Sequence, residues 1–122
     1  MIPTIKKFIK TGSDVSIPLY LWDVNPETKE RTAVDIQAEN LSITCSFFDH
    51  KNKELSRATI EPMAGVINGL YLTVPAAETQ TWTICKDARF DLLVHSTITG
   101  KKKHTSTEYF DIERGLTQWV VI

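Results

Sequence analysis

The chain has 122 residues, of which 42% are hydrophobic and 24% charged, with a formal net charge of -1; that suits one folded domain over residues 1–122 and excludes a disordered chain. Near-neutral charge excludes an overall attraction to nucleic acid or to anionic membrane, and no apolar run is long enough to span a bilayer. The segment from Met1 to Lys7 lacks the apolar stretch of a signal peptide, so a cytosolic protein with free thiols at Cys45 and Cys85 is expected.

In chain order, a weak strand is expected over Ile5 to Lys10, then a turn over Thr11 to Asp14. Val15 to Trp22 alternates, with Val15, Ile17, Leu19 and Leu21 on one face and Ser16, Pro18, Tyr20 and Trp22 on the other. Pro18 cannot donate to a ladder, so one side of that strand is expected to be unpaired or bulged. Asn25 to Thr28 opens a longer excursion. Leu41 to Phe47 alternates again, Leu55 to Ile60 does so weakly, and Gly69 to Val74 points Leu70, Leu72 and Val74 inward. Pro75 to Trp82 breaks the period; Pro75 suits a first helical position, and one helical turn crossing between sheets is expected. Phe90 to Val94 and Thr107 to Ile112 complete the set, with a turn over Thr99 to Lys102. About seven short strands with one short helical turn describe an all-β, immunoglobulin-like antiparallel sandwich. Its expected core is Ile17, Leu19, Leu21, Leu41, Ile43, Phe47, Leu70, Leu72, Phe90, Leu92, Val94, Phe110 and Ile112.

Catalytic, cofactor and metal chemistry find no support. There is no phosphate-cradling glycine loop, no nucleophile elbow and no zinc-like ligand spacing. His50, His95 and His104 lie in polar company and read as solvated. Cys45 lies on an apolar strand face, where cysteine behaves as a small hydrophobe. Lys101 to His104 is the only charge run and reads as a solvated hairpin tip. The outward aromatics carry more information. Tyr20, Trp22 and Tyr71 fall on the polar faces of two strands expected to be neighbours, where they either form one exposed patch or are covered by the Asn25 loop or the N-terminal segment. The segment Trp119, Val120, Val121 and Ile122 is one aromatic followed by three β-branched residues. Residues 118–122 are therefore a candidate docking tail, set against folding back on their own sheet.

Five runs carry a resemblance. GSDVSIPLYLWD from Gly12 and AVDIQAENLSI from Ala33 are similar to the opening of one module. GLYLTVPAAET from Gly69, ARFDLLV from Ala88 and GKKKHTSTEYFDI from Gly100 follow in the module's order, covering about Lys10 to Thr117. The chain resembles the immunoglobulin-like β-sandwich module of tailed-bacteriophage structural proteins, such as the N-terminal domain of baseplate upper proteins. It departs from that pattern at Ala38–Glu39 and Asp87–Ala88, where turn glycines are usual, and in the long Asn25 to Thr32 excursion. The resemblance implies a non-enzymatic virion structural protein, an adaptor, decoration, tail, baseplate or neck component. Its implied partners are other virion proteins and copies of itself, and its implied location is the virion after assembly in host cytoplasm. Two rivals stand beside this expectation: a carbohydrate-binding module stacking sugars on Tyr20, Trp22 and Tyr71, and a small phage inhibitor of a host defence protein.

Overall fold

The computed structural model describes residues 7–116. They form an all-β sandwich of eleven short strands and one short helix: β1 Phe8–Lys10, β2 Val15–Tyr20, β3 Trp22–Val24, β4 Arg31–Ala33, β5 Leu41–Phe48, β6 Glu54–Arg57, β7 Thr59–Pro62, β8 Gly69–Val74, α1 Ala76–Thr79, β9 Cys85–Ser96, β10 Lys102–His104 and β11 Glu108–Glu113. One sheet has the order β1-β11-β9-β5-β6, with β10 on β9 beyond β11. The facing sheet has the order β2-β8-β7, and β3 and β4 form a separate hairpin. All pairings are antiparallel except β1 with β11.

Each of the seven expected runs contains a strand among the described residues, the first of them only over Phe8–Lys10. Two of them break where the chain needs a corner. Leu21 separates β2 from β3: its N–H donates to Asn68 C=O (2.8 Å), and its C=O accepts from the Asn68 side chain (3.1 Å). Ala58 separates β6 from β7, where the chain crosses between sheets while the Ala58 N–H still donates to Cys45 C=O (2.9 Å). The Asn25 excursion is the β3–β4 hairpin turn, closed by Asn25 Oδ1 accepting from the N–H groups of Glu27 and Thr28. Lys102–His104 is an exposed strand on β9 rather than a hairpin tip, and its lysines guard an open edge against strand pairing. Pro75 caps α1 from outside, in extended backbone, rather than filling the first helical position.

Left-handed backbone occurs near both positions where the resemblance leads one to expect a turn glycine. Asp87 takes a left-handed conformation (φ 60°) in the bulge opposite Asp111, and its N–H donates to Asp111 Oδ1 (3.1 Å). Asn40, just after Ala38–Glu39, adopts φ 50°. Asparagine and aspartate tolerate that region best among non-glycine residues.

The core is densest around Phe47, whose ring lies 5.0 Å from Phe90, 5.4 Å from Trp82 and 5.7 Å from Phe110. Trp82 follows α1 in an irregular segment and is buried, its indole N–H donating to Ser56 Oγ (2.8 Å). Val15, Val34, Val74, Ala58 and Ala88 are also buried. Ile17, Leu19, Leu41, Ile43 and Val94 face inward as expected but are only half-buried. Cys45 is buried and Cys85 half-buried; both are unbridged. Burial, with Asp91 nearby, pushes the Cys45 thiol up to about 12.

Candidate functional site

A cleft of about 510 Å³ opens between the two sheets along the free edge of β2. Its floor is core surface: Leu19, Leu21 and Val34 from one side, Leu41, Phe90, Leu92 and Val94 from the other. It stays open because neither border closes it with a ladder. β2 pairs only β8. Across the cleft, the chain between β10 and β11 leaves the regular ladder at Thr105, whose N–H and Oγ1 bond Leu92 C=O and N–H, both at 2.9 Å. Among the described residues no strand bridges from that border to β2.

Alternation along β2 places Tyr20 at one rim, 52% exposed, and the Leu21 corner places Trp22 beside it, 44% exposed. The Arg31 guanidinium lies 4.8 Å from the Trp22 ring centroid and covers one ring face. That contact and the β3–β4 pairing hold Trp22 in place, because Trp22 lies opposite Ala33 and Arg31 opposite Val24. Asp23 and Glu39 also line the cleft, and Lys103, His104 and Glu108 line its β10–β11 border. His104 Nδ1 lies 3.2 Å from Asp91 Oδ2, and Lys7 Nζ lies 3.8 Å from Glu108.

The structure thus brings Tyr20 and Trp22 to one cleft. Tyr71 is half-buried opposite Pro18, between β2 and β7, and does not line it. Among the described residues none of these three rings stacks on another. Trp119, Val120, Val121 and Ile122 lie outside the described residues. Among the described residues no group of three histidine, cysteine or acidic side chains is placed to hold a metal. Sequence reasoning missed Asn68, Thr105 and Arg31. Asn68 and Thr105 act on residues 47 and 13 positions away, and Arg31 acts across the β3–β4 hairpin; none of these contacts shows in the alternation of the strands.

This geometry defines an all-β sandwich domain with an apolar cleft at an unclosed sheet edge. No family model and no curated protein matches the chain. Among solved structures it is similar to CopC from Methylosinus trichosporium OB3b, with 14% identity, a TM-score of 0.51, and coverage of 96% of this chain and 92% of that one. At that identity the likeness establishes the fold and carries no chemistry across. It does correct one expectation. The bacteriophage virion role, with its tail, baseplate and capsid associations, is overturned: the solved structure it is similar to is a CopC and not a virion component. The physical reason is that the five ordered runs are strands and turns of a sandwich, and a sandwich is shared by proteins of unrelated function.

Proposed function

We propose that this chain is a non-catalytic binding domain that takes a segment of another protein chain in the cleft below Tyr20 and Trp22. The observation that carries this reading is a floor of core side chains left open beside an ordered, half-exposed tryptophan. Trp and Tyr over an apolar floor are the usual anchors of protein interfaces. Asp23, next to Trp22, lines the cleft and carries a carboxylate, so the fitting segment has an apolar side chain for the floor and a lysine or arginine beside Trp22.

A panel of short peptides, each with one apolar anchor flanked by lysine or by glutamate, tests this by amide and indole chemical shifts. The lysine-flanked peptides should shift Trp22, Leu92 and Val94, and bind less tightly as salt rises. Trp22→Ala should keep the melting temperature and weaken that binding by roughly thirtyfold, equivalent to ~2 kcal/mol. Undiminished binding by Trp22→Ala, or shifts confined to other surfaces, would sink the proposal.

A further inference from the structure

A second opening lies on the other side of the sandwich and is independent of the Trp22 cleft. β6 pairs only with Ser46, Phe47 and Phe48, so among the described residues no strand lies on the outer edge of the first half of β5. β7, across the gap, is likewise the outer strand of its sheet. The hydrogen bonds define which backbone groups face this gap. Leu41 N–H donates outward to Ile36 C=O (3.1 Å), and Cys45 C=O accepts from Ala58 N–H (2.9 Å). Odd-numbered residues of β5 therefore turn their backbone groups away from β9, which leaves the N–H and C=O of Ile43 facing the gap with no strand beside them. Below that edge is a cleft of about 700 Å³, with Ile43, Ile60, Met63 and Leu70 among its apolar lining and Ile67 at its exposed lip. An open backbone edge above an apolar trough is what an added strand needs: main-chain hydrogen bonds along one side, alternate side chains buried below.

The chain carries a segment of the matching chemistry in Trp119, Val120, Val121 and Ile122. The last described residues lie far from the trough of the same molecule. Ile112 lies beside Cys85, whereas Ile43 lies beside Val94, nine residues further along β9, a separation of about 30 Å. Gly115 is tied to Thr11 Oγ1 (3.0 Å), beyond the Ile112 end. The six residues after Leu116 reach at most ~21 Å when fully extended.

We infer that Trp119–Ile122 of a second copy adds as a strand to the open half of β5 and buries alternate side chains in the Met63 cleft. Exchange between two copies closes a dimer, and one-way insertion builds a longer chain.

Sedimentation of the full chain over a range of concentrations tests this. Wild type should self-associate. Val121→Asp, which spoils the tail, and Ile67→Asp, which spoils the exposed lip, should each sediment as monomers. A mixture of the two should associate, because one supplies an intact cleft and the other an intact tail. A synthetic peptide of residues 116–122 should dissociate the wild-type assembly, and the same peptide methylated on the Val120 and Val121 nitrogens should be weaker by about tenfold or more, since it cannot donate to the edge. Trp22→Ala should associate like wild type, which separates this inference from the function proposed above. A monomeric wild type, variants that associate normally, a mixture that stays monomeric, or a methylated peptide of undiminished potency would each overturn it.

Discussion

The two ends of the sandwich follow the same alternating pattern and reach different degrees of burial. At the Phe47 end, α1 and the segment after it lie across the gap between sheets. Thr79 Oγ1 donates to Ser13 C=O (2.7 Å), Asp14 Oδ1 accepts from the Ala76 N–H (2.7 Å), and Trp82 plugs the space over Phe47 and Phe110. At the Leu41 end no described residue forms such a plug. Leu19, Leu41, Ile43, Ile60 and Val94 point inward and remain half-exposed in two clefts. An inward position is therefore a property of the strand, whereas burial is a property of what crosses the sheet edge. Surface left open in this way is where an external chain gains most from binding, because the apolar area is already ordered and still in contact with water.

The sharpest way to break this comparison is to remove the plug. Trp82→Ala should cost ~3–5 kcal/mol by chemical denaturation, from lost apolar burial plus the cavity left among Phe47, Phe90 and Phe110. A cost below ~1 kcal/mol would mean the Phe47 end is no more closed than the other. Leu41→Ala probes the opposite end. Leu41 borders both clefts, so its removal enlarges an opening that water already reaches, and the stability loss should stay below ~2 kcal/mol. A loss equal to that of Trp82→Ala would erase the distinction between the two ends.

The same contrast explains what could be read from the sequence. Period-two alternation was enough for the inward faces of β2, β5 and β8, because those strands bury one face and solvate the other. It was silent on β4 and β10: Arg31–Ala33 and Lys102–His104 are largely polar, exposed strands with no alternating apolar face. It also missed Trp82, which has no periodic context and is buried only because α1 carries it over Phe47. Tyr20 and Trp22 were legible as outward aromatics. The turn that carries Trp22 away from Tyr71 was not, since the corner at Leu21 depends on Asn68, 47 residues away in sequence; Tyr20 precedes that corner and stays on the same β2–β8 face as Tyr71. The clefts were invisible for a related reason: an opening is defined by the strand that is missing from an edge, and alternation reports only the strands present.

A smaller effect is expected from the turn beside the closed end, where Asp49 joins β5 to β6. Its Oδ1 accepts from the N–H groups of Lys51 and Lys53, both at 2.9 Å. The Lys53 N–H, and after it the Lys51 N–H and the nearby His50 and Lys53 charges, hold the carboxyl below its ordinary value against the opposing effect of desolvation. The unfolded chain therefore binds a proton at a higher pH than the folded one, and stability rises with pH between the two values. The contribution is fully present above the unfolded aspartate value of about 3.9 and is lost as pH falls through the lower folded value. Asp49→Asn keeps an oxygen that can accept both N–H groups but has no charge to titrate. Its melting temperature should lie slightly below wild type at neutral pH, and the two should converge in acid. The convergence is the informative part: a gap that stays constant from neutral pH down into acid would show that the turn depends on the shape of the side chain and not on its charge. Because this turn lies at the Phe47 end, binding at either cleft should be unchanged in Asp49→Asn, which makes it a control for the separation of the two ends.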